Sequence, residues 1–173
     1  MPVAIVATVG GSTSNSYCTL AEAEIYIASI PTPGSWTSSV LDDTKNRALV
    51  QACRLIEENF TWNGYPVTPE VQSLSWPQYG QYLRTGKIIA NTEIPQDLKN
   101  AQVELARQLL AADRTADQDA AAQGITAVSA GPVSVQFNTL VATFNVIPDA
   151  VFSILSWYGF ASNSGVMKKL ERY

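Results

Sequence analysis

The 173-residue chain has no histidine. That removes the commonest general base, the commonest metal ligand and every catalytic triad built on imidazole. Chemistry resting on carboxylates or lysine stays open. Charge is also scarce: Asp, Glu, Lys and Arg make up 15 % of residues, against roughly 25 % in an ordinary soluble domain. A chain so poor in charge leaves part of its surface for partners to cover. Cations are the scarcer sign, 11 against 15 acidic residues, for a net charge of −4. They are scattered, and the densest group is Lys168, Lys169 and Arg172. Tight binding of nucleic acid through phosphates needs a basic cluster, so that class is disfavoured. The two cysteines, Cys18 and Cys53, read as reduced, partly buried thiols. Residues 1–9 lack a basic start followed by a long apolar run, and no stretch approaches the roughly 18 apolar residues of a membrane helix. The expectation is a protein made in the cytoplasm, with no membrane partner.

What is present is 46 % apolar residues, enough for one domain with a real core. Residues 1–16, rich in Val, Gly, Ser and Thr, read as an extended arm with a short strand over Val3–Val9. Thr19 and Glu22 form a capping-box pattern that opens a helix from Leu20 to about Ser29, closed by Pro31 and Pro33. A second helix starts near Asp42 or Asp43, either a suitable N-cap, and runs to about Phe60. Its apolar stripe is Leu49, Ala52, Cys53, Ile56 and Phe60. Residues 61–93 form a long irregular connection carrying Trp62, Tyr65, Trp76, Tyr79 and Tyr82; loops of that length usually serve contacts. Pro95 opens a third helix, with an apolar face from Leu98 to Ala112, expected to reach Ala122. Ile125–Val128 and Val133–Phe137 alternate as a β-hairpin around Ser129–Pro132. Two strands alone are marginal in water, so the hairpin should pack on the helices or pair with a neighbouring subunit. Pro148 opens a last helix through Trp157 or Tyr158, and residues 159–173 read as a mobile tail. Val166, Leu170 and Tyr173 keep helical spacing there, with Lys168, Lys169 and Arg172 between them. Those six residues are the expected partner contacts of the tail. The fold expected is mainly α, a bundle of about four helices with a small β-hairpin and extended N- and C-terminal arms. Residues 1–160 make one domain and 161–173 a flexible tail.

The candidate chemistry is thin. Asp113, Asp117 and Asp119 cluster, but not at EF-hand spacing, and read as a solvated helix end. Glu57 and Glu58 are adjacent on a helix, so they diverge and read as surface residues. No glycine pattern matches a dinucleotide or phosphate loop, and no serine sits in a nucleophile elbow. The expectation is no catalytic residue, no cofactor and no metal. The aromatics of residues 62–82 could stack bases, yet only Arg84 and Lys87 lie nearby. Core filling with partner contact is the better reading of them. Trp76, Pro77 and Trp62 are the expected structural anchors of this loop.

Several elements recur in a known order. They are Asn15-Ser16-Tyr17, then Ala21, Ala23 and Tyr26, Trp36, Arg47-Ala48-Leu49 with Ala52, and Trp62 with Gly64. Gln72-x-Leu74-x-Trp76-Pro77, Ile94-Pro95, Ala101-x-x-Glu104-Leu105-Ala106 and Ile147-Pro148 follow. Over about residues 12–160 this resembles a phage family often labelled DnaT-like single-stranded DNA-binding protein, whose members look like head–tail connector (adaptor) proteins. Gln78 stands where that family often has Arg. The resemblance implies a ring of subunits, twelve in number, docked beneath the portal at the capsid vertex. It would extend the DNA channel and offer a platform to a downstream neck or tail protein. DNA would pass through without specific binding, and the protein would reside in the virion at the head–tail interface. The alternative is a single-stranded DNA-binding replication protein, as the label says.

Overall fold

A computed structural model of the chain describes residues 2–112, 114, 127–130, 133–136 and 146–161. Within them are helices α1 (Leu20–Ser29), α2 (Asp42–Asn59), α3 (Gln96–Leu109) and α4 (Asp149–Leu155). Six short strands accompany them: β1 (Phe60–Trp62), β2 (Tyr65–Pro66), β3 (Gln78–Tyr79), β4 (Ala127–Ala130), β5 (Val133–Gln136) and β6 (Gly159–Ala161). They pair as three two-stranded antiparallel sheets, β1 with β6, β2 with β3 and β4 with β5. The fold is mainly α, as the periodicities imply.

Helix starts follow local chemistry. At α1 the Glu22 amide donates to Thr19 Oγ1 at 3.3 Å, and the Thr19 amide to Glu22 Oε2 at 2.8 Å, the reciprocal capping box. At α2 the residue before the helix is Leu41, which supplies no side-chain cap. Asp42 and Asp43 instead lie in the first turn, where carboxylates favour the helix dipole. Asp43 also accepts the Val3 amide at 2.6 Å, and Asn46 donates to the Val3 carbonyl at 3.2 Å. The arm is therefore extended but pairs with side chains of α2 and with Asn15. Val3–Val9 is no strand, a correction to the expectation.

Helix α3 is central. Leu98, Ala101, Val103, Leu105 and Ala106 are all buried, as are Gln102 and Glu104. It packs on α1, α2 and α4. The Gln102 amide resolves its own burial: Nε2 donates to Ser16 Oγ at 2.7 Å and to the Leu49 carbonyl at 2.9 Å. Its Oε1 accepts the Tyr17 amide at 2.9 Å. One side chain thereby joins the arm, α2 and α3. The helix ends at Leu109, not near Ala122, because the apolar stripe runs out: Ala111 and Ala112 are exposed. A stripe with nothing to bury against gives a helix little support.

The last described stretch also differs from expectation. Helix α4 stops at Leu155, and the chain returns as β6 rather than leaving as a tail at residue 159. The reason is register: Gly159 lies opposite Trp62, where its missing side chain admits the Thr61 carbonyl. The hairpin is present but closes more tightly than expected, with Ala130 opposite Val133.

Trp76 is 1 % exposed, and its ring meets Trp62 edge-on at 5.8 Å and Tyr158 edge-on at 5.9 Å. Pro77 is buried behind it. Truncation of a buried aromatic of this kind costs about 3–5 kcal/mol. Trp76→Ala should lower unfolding free energy by that amount in a denaturant titration; an unchanged midpoint would contradict the packing. Both cysteines are buried. Burial, with Glu22 adding, pushes the Cys18 thiol up to about 12, and burial followed by Glu57 pushes Cys53 up as well. Thiolates are the reactive form. Neither thiol should react with a disulfide reagent in the native protein at mildly alkaline pH, and both should react after unfolding in guanidinium.

Candidate functional site

The long connection after α2 is built around the Trp62–Trp76–Tyr158 stack. Beneath it, Phe60 lies 5.1 Å from Trp62 and 6.2 Å from Phe152. Polar bonds then orient the segments outside. The Asn63 amide donates to the Tyr158 carbonyl at 2.9 Å, and Tyr158 Oη to Asp97 Oδ2 at 2.8 Å, tying this region to the start of α3. Burial, then the Asp97 carboxylate, raise the Tyr158 phenol well above the ordinary tyrosine range, so it stays a neutral donor. Gln78 and Gln81 are both buried and joined at 3.0 Å.

On this base stands a run of aromatics facing outward. Tyr65 and Tyr79 are directly opposed across the β2–β3 pair. Beyond β3, the turn at 82–88 is pinned to the end of α4. The Trp157 indole donates to the Tyr82 carbonyl at 2.8 Å, and Arg84 Nη2 to the carbonyls of Ser153 and Ile154 at 2.9 and 3.1 Å. Phe160 projects from β6. Tyr65, Tyr79, Tyr82, Trp157 and Phe160 are 47–76 % exposed, and Ile88 is exposed with them. Large apolar side chains left exposed outside the core are the kind of surface to examine for contact with a partner. Of the two cations in the turn, Arg84 is engaged on carbonyls and Lys87 is exposed.

A pocket of about 220 Å³ is lined by Glu57, Pro66, Pro69, Gln72, Ser73, Leu74 and Ser75. Pro66 belongs to β2 and is paired with the buried Gln78, so it takes the face of the β2–β3 pair opposite to Tyr65 and Tyr79. Glu57 is not the plain surface residue that its adjacency to Glu58 suggested. Its carboxylate accepts from the Tyr17 hydroxyl and from the Ser75 amide and hydroxyl, at 2.9 and 2.7 Å. Glu58 does diverge, pairing with Arg54 on the exposed side of α2.

Of the residues singled out in sequence, Trp76 and Pro77 are buried together, and Trp62 is half-buried against Trp76. Val166, Lys168, Lys169, Leu170, Arg172 and Tyr173 lie outside the described residues, as do Asp113, Asp117 and Asp119. Among the described residues no cluster of Cys, Asp and Glu has metal-site geometry. Sequence reasoning missed the Tyr65–Tyr79 pairing and Glu57. Gly64, between two aromatic positions, was the available signal for the pairing. A Cβ there would lie 2.4 Å from the Tyr79 carbonyl oxygen and 2.7 Å from Gln78 Oε1. Gly64→Ala should therefore push β3 away and cost about 1–3 kcal/mol, as overpacking does, read by chemical denaturation together with a change in tyrosine fluorescence.

Comparison with known proteins gives one assignment. The family model for "DnaT-like ssDNA binding protein", a provisional description of that family, matches residues 1–173. No curated protein and no solved structure matches the chain. The match over the whole length places this chain in the DnaT-like ssDNA-binding protein family.

Proposed function

We propose that this chain is a structural subunit that works by assembling with other protein chains, specifically as a head–tail adaptor of a tailed phage. The observation that carries the assembly reading is the outward aromatic face, set on a rigid aromatic base and poor in cations. Tyr and Trp at the centre of such a patch supply binding energy when a partner excludes water from them. The adaptor itself comes from the resemblance: a ring of twelve copies beneath the portal, carrying a neck or tail protein, made in the host cytoplasm and resident in the virion. With a net charge of −4, the chain suits a channel through which DNA slides without being gripped. This reading assigns no catalytic step, cofactor or metal.

The second reading is single-stranded DNA binding, and the family description favours it over the adaptor. Tyr65, Tyr79, Tyr82 and Trp157 are exposed, with Tyr65 opposite Tyr79 and the Trp157 indole on the Tyr82 carbonyl, and their rings offer faces on which bases can stack. Against it stands the scarcity of free cations beside them, since backbone phosphates supply most of the affinity of such complexes.

The two readings part in one experiment. Sedimentation velocity and electron microscopy of the purified chain, alone and with portal, should show a ring or a portal-bound ring. A mobility-shift titration with single-stranded DNA at physiological salt should show nothing tighter than about micromolar. Submicromolar, salt-sensitive binding that Tyr65→Ser with Tyr79→Ser abolishes would establish the DNA reading and overturn the adaptor.

A further inference from the structure

The Glu57 pocket has a chemistry of its own, apart from the tyrosines on the other face of the β2–β3 pair. Pro66, Pro69 and Leu74 give it apolar walls, and Glu57, Gln72, Ser73 and Ser75 its polar groups. The side-chain donors among these are all spent. Gln72 Nε2 donates to the carbonyls of Leu74 and Pro77 at 2.7 and 3.3 Å. The Ser73 hydroxyl donates to the Ser14 carbonyl at 2.6 Å, and the Ser75 hydroxyl to Glu57 Oε2 at 2.7 Å. Gln72 Oε1 is filled as well, by the Thr68 amide at 2.9 Å and the Thr68 hydroxyl at 3.3 Å. What stays open is acceptor capacity, on the serine hydroxyl oxygens and on Glu57.

Glu57 is the charged member of the set. A carboxylate has about four acceptor positions. Oε2 takes the Ser75 amide and hydroxyl and Oε1 takes the Tyr17 hydroxyl, which leaves a position on Oε1. No Lys or Arg among the described residues pairs with Glu57, whereas Glu22, Glu24, Asp43, Glu58 and Glu104 each have such a partner. Glu70, exposed next to Pro69, adds a second negative charge.

A half-buried carboxylate without a counter-ion, among acceptors and between prolines, suits a cation on an alkyl stem. The volume, about 220 Å³, falls below the roughly 300–1,000 Å³ of sites for whole small molecules, so it matches a single side chain. Lysine fits better than arginine. Its three N–H donors point in separate directions and suit separate acceptors, whereas a guanidinium fork wants both oxygens of one carboxylate, and Oε2 is filled. We propose that the Glu57 pocket receives the side chain of one lysine from a neighbouring protein subunit, with the ammonium on Glu57 and the stem against Pro66, Pro69 and Leu74. This rests on the assembly reading above and gives it a polar contact separate from the aromatic face. Glu57 is fastened to Tyr17 and to Ser75 of the long connection, so the incoming charge meets a fixed carboxylate.

The test titrates the full native chain, nitrogen-15 labelled, with the N-acetyl methylamides of lysine, norleucine and arginine. The lysine probe should give saturable NMR shifts confined to residue 57 and residues 66–75, with a Kd of about 1–10 mM, as befits a single-residue contact. Norleucine, which keeps the stem and lacks the ammonium, and arginine should each bind about tenfold more weakly. Glu57→Gln should abolish the lysine shifts, while Glu58→Gln, on the exposed side of α2, should leave them. In sedimentation velocity with and without portal, Glu57→Gln should weaken assembly by about fivefold or more and Glu58→Gln should not. The norleucine comparison needs no variant, so it holds even where Glu57→Gln loosens the Tyr17 and Ser75 contacts. No lysine shift at the pocket, equal shifts with norleucine, or assembly indifferent to Glu57→Gln overturns this inference and leaves the assembly reading standing. Pocket signals that move in monomeric protein, without probe, on Lys168→Ala with Lys169→Ala make the occupant this chain's own lysine and likewise overturn it. A chain that forms no oligomer and binds no portal overturns the assembly reading and this inference together.

Discussion

The edge-to-face stack of Trp62, Trp76 and Tyr158 is the interaction on which the functional side of the molecule depends. It joins three segments far apart in sequence: the strand leaving α2, the middle of the long connection, and the turn between α4 and β6. Each ring buries a large apolar area, and the perpendicular geometry brings a positive ring edge against a negative face. Everything exposed around it inherits its position. Tyr65 follows Gly64, whose backbone comes close to the Tyr79 carbonyl, and the Tyr82 carbonyl accepts from Trp157, the residue before Tyr158. A connection of this length with so little regular structure could present a stable surface only if some of its own side chains were committed to the core.

A second constraint holds the scaffold beneath. Gln102 is fully buried, and its amide donates to Ser16 in the arm and to the Leu49 carbonyl while accepting from the Tyr17 amide and the Cys18 thiol. A buried amide is costly unless its donors and acceptors are met, and once met it specifies one arrangement of the surrounding backbone. Lys45 follows the same logic, pairing with Glu24 at 2.7 Å over the ring of Trp36. Lys99 reaches Glu22 at 2.5 Å and links α3 to the start of α1. Burial works to raise the Glu22 carboxyl, but the Lys99 bond and the Thr19 cap outweigh it and hold the carboxyl below its ordinary value. That contribution is present above the unfolded-state value and is lost as pH falls through the lowered folded-state value.

The scarcity of charge and the outward aromatics are one property seen twice. With charged groups so few, and several of them committed to internal pairs, the surface around β2, β3 and the 82–88 turn is left to tyrosine and tryptophan. Such side chains lose little conformational freedom on contact and offer both an apolar body and a polar tip, which suits a partner surface or a stacked base. The whole-length family match and the poverty of cations pull toward different occupants of that one face.

By itself the sequence determined the helices with strong local signals. The Thr19–Glu22 box, the stripe of α2, Pro95 and Pro148 are each read from neighbours within one or two turns. It also determined the absence of imidazole chemistry and the burial of Trp76 as the anchor of its loop. Tertiary structure alone decided where α3 stops, because Ala111 and Ala112 have helix propensity but no core to cover. It alone turned residues 159–161 into a strand, since pairing with β1 depends on a residue nearly a hundred positions away. The candidate site was half legible: the aromatics of residues 62–82 could be picked out in the sequence, whereas the opposition of Tyr65 to Tyr79 and the aim of Glu57 could not. Glu57 reads as surface from helix periodicity because its partners, Tyr17 and Ser75, arrive from other elements. Periodicity reports only which face of an element is apolar, and long-range polar partners are set when separate elements are brought together by the core.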